Sequence, residues 1–198
     1  MKIVLATGNA GKLRELAALL ADLPVDLVSQ SDVPGASPVE EDQPTLHGNA
    51  RKKAWSLHEL TGLPSLADDT GLEVDALGGA PGVRSARFAG DGADDAANRA
   101  LLLNRLADAS DRQARFRTVV AFAVDGEVVY FEGTCEGTIG HEERGAGGFG
   151  YDALFVPNGY MQTFAEMSDV EKNRISHRGR ALQRVRAYLS ARLAGGRP

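Results

Sequence analysis

The sequence contains a single cysteine, Cys135, so no disulfide can form within the chain. It has no apolar run near the roughly 20 residues that a membrane-spanning helix needs. Its four histidines form no cluster with the spacing of zinc ligands. No signal peptide is recognisable ahead of the strand-like segment that follows Met1. These scarcities exclude an internal disulfide framework and argue against a zinc site and a membrane protein. We therefore expect a cytoplasmic protein.

Basic residues are also fewer than acidic ones: the chain has 22 lysines and arginines and 27 aspartates and glutamates, which give a formal charge of −5. A protein that binds DNA or RNA usually carries a basic surface, so we expect no nucleic-acid partner. The exception is the segment from Glu171 onward, where one acid stands among eight bases. Most of these bases fit a solvated helix surface. The alternative is that a few of them, at the start of the segment, bind a small polyanion.

The hydrophobic pattern predicts an α/β fold with a central mixed sheet and flanking helices. Helices are expected at 13–23, 45–60, 94–106 and 176–193, with a short one opened by the capping sequence at 168–171. Strands are expected at 2–7, 25–29, 64–68, 116–124, 127–131, near 138 and at 153–156. We expect one domain over residues 1–198, with the hairpin at 116–131 in a second lobe and a frayed tail at 195–198.

The first candidate site is the turn between the first strand and the first helix, Thr7-Gly8-Asn9-Ala10-Gly11-Lys12. Glycines let a backbone approach a ligand closely, and the N–H groups at a helix start attract anions. Lys12 adds a positive charge, although the spacing is not that of a P-loop. The turn therefore indicates phosphate binding, and a purely structural turn is the alternative.

The second candidate is the acidic run Asp68-Asp69-Thr70, expected where a short strand ends. Adjacent acids on an extended chain point to opposite faces, so we expect them to have different roles. Carboxylate oxygens suit Mg²⁺, which takes one or two protein carboxylates together with substrate phosphates. Glu40 or Glu41, in a proline-rich loop, would supply the other ligand. The alternative is a solvated acidic turn.

The most unusual stretch runs from Gly145 to Asp152 and places four glycines around Phe149 and Tyr151. Such a stretch makes poor core material. It suits a site where a flat group stacks on an aromatic ring while the backbone passes close by. The alternative is a surface loop whose aromatic residues pack inward.

Together these segments resemble the inosine/xanthosine triphosphate pyrophosphatase family, also called the ITPase or Ham1-like family. The matching segments are Ala6–Asn9 with Lys12, Asn49-Ala50 with Lys53-Ala54, Ala67–Val74, Leu77–Val83 with Ser85–Arg87, Gly147–Asp152, and Ser176–Leu182. One departure is Gly48, where the family often has a glutamate.

The resemblance implies an elongated α/β fold with an active-site cleft between two lobes, usually in a homodimer. It implies magnesium-dependent hydrolysis of ITP, dITP and XTP to the monophosphate and pyrophosphate. By position, Asp69 corresponds to the catalytic acid/base and a magnesium ligand, and Glu41 to an acidic position near the metal. Residues 7–12 correspond to the triphosphate loop. The remaining substrate contacts would be Lys53, Thr70, Phe149, Gly150, Tyr151, Asp152, Lys172, His177 and Arg178.

Two other functions fit the same residues. One is a pyrophosphatase of the same architecture that acts on other modified nucleotides, such as pyrimidines. The other is a sensor that binds a nucleotide without hydrolysing it. The paired acids Asp68 and Asp69 favour catalysis, because a pure sensor gains little from surplus carboxylates beside a polyanion.

Overall fold

The computed structural model describes residues 1–7 and 10–195, with the backbone alone described for Ala10. The chain forms two compact units. Unit 1 comprises Met1–Asp69, Thr118–Gly133 and the chain from Gly179 onward. Unit 2 comprises Thr70–Arg117 and Thr134–Arg178. Within the described part, no helix is long and apolar enough to cross a bilayer.

Unit 1 begins with a parallel strand pair joined by a helix. Strand β1 (Lys2–Leu5) pairs with β2 (Asp26–Ser29), and helix α1 (Ala10–Leu20) connects them. Helix α2 (Leu46–Thr61) leads into β3 (Ser65–Val74), whose start also pairs in parallel with β1. Helix α5 (His177–Leu193) supplies most of its length to this unit. The buried core of the unit contains Ile3, Leu5, Leu16, Leu20, Phe122, Phe131, Leu182, Val185 and Leu189.

Unit 2 is built on antiparallel pairing. The short strand β4 (Pro81–Gly82) pairs with the second half of β3, and β7 (Phe155–Pro157) pairs with the end of β6 (Glu127–Ile139). Its helices are α3 (Asp95–Arg105) and α4 (Asp169–Ile175). The buried core of the unit contains Leu72, Val74, Leu102, Leu106, Phe116, Ile139, Tyr151, Phe155 and Phe164.

The sheet is mixed, and its strands are hydrogen-bonded in the order β2-β1-β3-β5-β6-β7, with β4 beside β3. The fifth strand, β5 (Gln113–Val124), reaches β6 through a two-residue turn. Asp125 and Gly126 in this turn have φ angles of 52° and 80°, the positive values that tight hairpin turns require. The predicted α/β class with a mixed sheet and flanking helices is confirmed. The cleft between lobes stays a prediction.

Two expectations about strands were wrong. Strand β3 does not end at Asp68 but continues to Val74, so the acidic run lies inside the strand. Strand β6 also continues without a break to Ile139. The hairpin is therefore longer than expected, and its tip, Thr118–Gly133, belongs to unit 1 rather than to a second lobe.

The helix boundaries follow local capping signals. Thr45 accepts the N–H of Gly48, Asp94 accepts that of Ala97, and Ser168 accepts that of Glu171. Such side chains satisfy N–H groups that the first turn of a helix leaves unpaired. Of the expected frayed tail at 195–198, only Gly195 is among the described residues, and residues 196–198 lie outside them.

Gly137 of β6 gives a test of the packing in unit 2. A Cβ at this position would lie 2.4 Å from the Val156 carbonyl oxygen and 2.6 Å from the Phe155 ring. Gly137→Ala should therefore lower the free energy of unfolding by about 1–3 kcal/mol, measured by urea denaturation. Gly140→Ala is the control, because its nearest neighbours lie at 3.4 Å. Equal stability of the two variants would contradict the packing described.

Candidate active site

Lys53 of α2 holds the acidic groups of unit 1 together. Its Nζ donates to Glu41 Oε1 at 2.9 Å, to the Asp68 carbonyl oxygen at 2.7 Å and to Asp69 Oδ1 at 3.2 Å. The Lys53 side chain is only 12% exposed. Burial alone would lower the pKa of Lys53, but Asp69, Asp68 and Glu41 together raise it. The lysine therefore remains charged and ties the acidic loop to strand β3.

Asp69 is the buried carboxylate of this group, and both of its oxygens accept hydrogen bonds. Lys53 contacts Oδ1, and Asn49 Nδ2 contacts Oδ2 at 3.2 Å. Burial raises the pKa of the Asp69 carboxyl, and nearby Glu41 raises it further. Lys53 and Asn49 act in the opposite direction, and the net shift is upward. A carboxylate with a raised pKa is a better proton acceptor, as a general base requires.

Asp68 has a different partner from Asp69, as the alternation along an extended strand predicts. Its Oδ2 lies 2.9 Å from Lys12 Nζ of α1. Both side chains of this pair are mostly buried, at 19% exposed for Lys12 and 11% for Asp68. Helix α1 is thereby linked to the strand that carries Asp69.

The oxygen donors around Asp69 are of the kind that a divalent metal ion takes. Within the described residues there is no group of three or more histidine, cysteine or acidic side chains placed to hold a metal. Asp69 and Glu41 nevertheless lie within 3.2 Å of one ammonium group, and their oxygens are the hard ligands that Mg²⁺ prefers. Mg²⁺ typically takes one or two protein carboxylates when substrate phosphates complete its shell. Glu40 is exposed, and its backbone carbonyl oxygen accepts a hydrogen bond from Lys52 Nζ.

In unit 2 a second buried ion pair supports the glycine-rich stretch. Lys172 Nζ lies 2.8 Å from Asp152 Oδ2, and the same oxygen accepts the Phe149 N–H at 2.9 Å. The Lys172 ammonium also lies 4.9 Å from the centre of the Phe149 ring, and the Arg178 guanidinium lies 5.3 Å from it. Arg178 donates to Thr70 Oγ1 at 3.3 Å. The structure thus places two sequence-predicted cations, Lys172 and Arg178, beside the Phe149 ring, and each of them contacts a further sequence-predicted residue, Asp152 or Thr70.

Phe149 and Tyr151, the two candidate stacking residues, differ in burial. Tyr151 is buried, and its hydroxyl donates to the Ser85 carbonyl oxygen at 2.8 Å. Burial raises the pKa of this hydroxyl, so it stays protonated. Phe149 is half-buried. Tyr151 therefore fits the alternative interpretation, in which an aromatic residue of this stretch packs inward. Phe149 is the one of the two that remains partly exposed.

His177 has a packed environment at the start of α5. It is buried, and its ring stacks on Phe116 at a centroid distance of 4.5 Å and an interplanar angle of 18°. It follows directly on Ser176, the buried C-cap residue of α4. Its predicted substrate contact stays a prediction.

Two side chains of α3 form hydrogen bonds with the backbone of Gly150. Asp95 Oδ2 accepts the Gly150 N–H at 2.7 Å, and Arg99 Nη1 donates to its carbonyl oxygen at 2.9 Å. Gly150 has a φ of +60°, which a residue with a side chain rarely adopts. The helix therefore fixes the conformation of the stretch that carries Phe149.

The predicted phosphate loop is described only in part. Gly8 and Asn9 lie outside the described residues. Thr7 is half-buried after β1, and Gly11 and Lys12 lie in the first turns of α1, which begins at Ala10. An anion-binding role for this turn stays a prediction.

Sequence reasoning missed the roles of Asn49, Asp95 and Arg99. Asn49 stands in a matched motif, but its contact with Asp69 depends on how α2 lies against β3. Asp95 and Arg99 are four residues apart, a spacing that places two side chains on one face of a helix. That spacing was the only available signal, and it is common in ordinary surface helices.

Three arginines of the basic C-terminal segment fit the interpretation of a solvated helix surface. Arg186 pairs with Asp22, Arg192 pairs with Asp125, and Arg184 donates to the Glu132 carbonyl oxygen at 2.7 Å. These arginines therefore lie near acidic or carbonyl partners on the surface of unit 1. The two bases buried at the start of the segment, Lys172 and Arg178, are those beside Phe149.

Comparison with known proteins agrees with this fold. The Ham1 family model matches residues 3–188. A dITP/XTP pyrophosphatase of Desulforamulus reducens is 53% identical over 193 residues, which cover 96% of each chain. A dITP/XTP pyrophosphatase of Christiangramia forsetii is 47% identical over 190 residues, 96% of this chain and all of that protein (100%). The structure of a HAM1 protein from Coxiella burnetii superposes with a TM-score of 0.89 at 42% identity, covering 96% of this chain and 98% of that one. The chain belongs to the Ham1 family.

The buried pair of Lys172 and Asp152 gives a test of this geometry. Lys172→Met leaves Asp152 as an uncompensated buried charge, which should lower the free energy of unfolding by about 3–5 kcal/mol. Lys52→Met is the matched control, because Lys52 pairs with Asp42 at the same 2.8 Å but with side chains 36% and 46% exposed. Loss of an exposed pair costs about 0–1 kcal/mol. Similar urea midpoints for the two variants would contradict the burial of the Lys172 pair.

Proposed function

We propose that this chain is a nucleoside triphosphate pyrophosphatase that hydrolyses dITP, ITP and XTP to the monophosphate and pyrophosphate. Such an enzyme would remove deaminated purine nucleotides from the nucleotide pool. The observation that carries the proposal is the buried Asp69 carboxylate, held by Lys53 and Asn49 beside Glu41. Relatives about half identical over nearly the full chain bear the name dITP/XTP pyrophosphatase, which supports the substrate class.

We propose Mg²⁺ as the cofactor, held by Asp69 and Glu41. When bound, it would supply Lewis-acid polarisation of the phosphate oxygens and acidify a water. Of the two loop acids, Glu41 is favoured over Glu40 because its carboxylate reaches the Lys53 ammonium. The two carboxylates also offset the positive charge that the metal would bring to the cluster.

Asp69 is proposed as the general base for hydrolysis at the α-phosphorus. Asn49 fixes the direction of its carboxylate, which would accept a proton from the attacking water, and Lys53 compensates its charge. Lys12 and Lys53 would stabilise the negative charge that develops on the departing pyrophosphate. Asp68 would act indirectly, by holding Lys12 in place.

Base recognition is proposed for the residues around Phe149. This ring would stack on the flat purine, because it is only half-buried whereas Tyr151 is buried. Hypoxanthine and xanthine carry an acceptor oxygen at the six-position, where adenine carries an amino donor. A buried donor such as Arg178 would pair with that oxygen and leave adenine unpaired. Thr70 would orient Arg178 through their hydrogen bond.

Cytoplasmic location and a homodimeric state complete the proposal. The single cysteine, Cys135, is free and buried. A chain without an internal disulfide suits a reducing compartment. The dimer is supported by the family resemblance alone.

Asp69→Asn gives the sharpest test of the catalytic assignment. The amide keeps the shape of the side chain but is a poor proton acceptor, so pyrophosphate release from dITP should fall by at least about a hundredfold. Circular dichroism should show an unchanged fold.

Asp42→Asn is the control for this variant. Asp42 is another acid of the same region, but it is exposed and pairs with Lys52. Its variant should keep nearly full activity. Near-normal turnover by Asp69→Asn would remove Asp69 from the role of general base.

A further inference from the structure

Asn49 makes two hydrogen bonds that join the acidic loop to Asp69. It is fully buried in the first turns of α2. Its Nδ2 donates to Asp69 Oδ2 at 3.2 Å, and its Oδ1 accepts the backbone N–H of Gln43 at 2.9 Å. A backbone N–H can only donate and a carboxylate can only accept, so the two partners fix which way the amide points.

We propose that Asn49 is a positioning residue that holds Asp69 and the Glu41-bearing loop in one fixed arrangement. The inference rests on the proposed function, since it assigns to Asn49 the spacing of the two carboxylates that would hold the metal. Asn49 itself contacts neither metal nor substrate in this assignment. It acts through Asp69 on one side and through the backbone of Gln43, two residues from Glu41, on the other.

Lys53 cannot perform this task alone. An ammonium group attracts both carboxylates as a point charge on a flexible stem and does not fix the plane of either. The short asparagine side chain has few rotatable bonds, so its planar amide gives Asp69 a defined direction. The loop that needs fixing contains irregular backbone from residue 33 to 44. A side chain that bonds to its backbone restrains it more directly than one that bonds to the Glu41 carboxylate.

Gly48 makes the close approach of the loop possible. A Cβ at this position would lie 2.7 Å from Gln43 Cβ and 3.2 Å from its Cγ. Any larger residue would push Gln43 away from α2 and its N–H away from Asn49.

Asn98 provides a matched control within the same chain. It is also buried in a helix, α3, and its amide also makes two hydrogen bonds, both to the single segment 86–89. Its Oδ1 accepts the Ala89 N–H at 2.8 Å, and its Nδ2 donates to the Ala86 carbonyl oxygen at 3.1 Å. Asn98 is therefore a buried helical amide with the same two kinds of hydrogen bond but without a carboxylate partner.

The first measurement compares Asn49→Ala with Asn98→Ala in steady-state hydrolysis of dITP across a Mg²⁺ titration. Residues that orient metal ligands typically change metal affinity or activity by about 10- to 100-fold. Asn49→Ala should raise the half-saturating Mg²⁺ concentration or lower kcat by such a factor, with a smaller change in the KM for dITP. Asn98→Ala should change neither. If Asn49→Ala matched Asn98→Ala in all three constants, the inference would be wrong.

The second measurement needs no catalysis. Amide hydrogen exchange of the metal-free protein should show a protected Gln43 N–H in the wild type and in Asn98→Ala, and fast exchange in Asn49→Ala. The Ala89 N–H should be protected in the wild type and in Asn49→Ala, and should exchange fast in Asn98→Ala. Continued protection of Gln43 in Asn49→Ala would overturn the link to the loop. Should Asn49→Ala fail to fold, Asn49→Ser allows the same comparison, since its hydroxyl is too short to reach both partners.

The two measurements separate this inference from the proposed function. A folded wild-type protein that released pyrophosphate from no nucleotide would overturn the proposed function. An active wild type with an unaffected Asn49→Ala variant would overturn the role of Asn49 alone.

Discussion

The buried ammonium of Lys53 is the interaction on which the candidate site depends. An isolated charge at this depth would be very unfavourable, and so would the Asp69 carboxylate without a cation beside it. Glu41 would also repel Asp69 if no positive charge lay between them. Lys53 resolves both problems because its three donor directions are taken by Glu41, Asp69 and the Asp68 carbonyl oxygen. The acidic loop, helix α2 and strand β3 therefore reach their positions together. The charges of the acidic groups are thus compensated by Lys53, and a bound metal and polyphosphate would change that balance.

Unit 2 uses the same principle to support a different surface. Lys172 and Asp152 compensate each other in a buried pair, and Asp152 also accepts the N–H of Phe149. The ring of Phe149 is consequently placed beside two cations, Lys172 and Arg178. Arg178 is buried and bonded to Thr70, which follows Asp69 directly in the chain. An aromatic ring placed among fixed hydrogen-bond donors suits recognition of a polar flat base more than packing of a core.

Sequence patterns predicted those features that depend on neighbouring residues. The helix beginning after Thr45 and the hairpin turn at Asp125 follow from local capping and turn chemistry, and the structure confirms both. The continuation of β3 through Asp68 and Asp69 was missed because acids are rare in strands. Lysines that are distant in the sequence pair with both acids and compensate their charges within the strand. The contact of Asn49 with Asp69 was missed for the same reason, since it depends on packing and not on spacing.

The most direct test of the central claim is pyrophosphate release from a panel of nucleotides by the wild-type protein. The panel contains ITP, dITP, XTP, GTP, ATP and dUTP, each measured with Mg²⁺ and with EDTA. The account predicts fast, metal-dependent release from the first three and little from GTP or ATP. Release from another nucleotide instead would keep the chemistry around Asp69 but contradict the base recognition assigned to Arg178 and Phe149. Absence of release from every nucleotide, by a folded protein, would contradict catalysis and favour a nucleotide sensor.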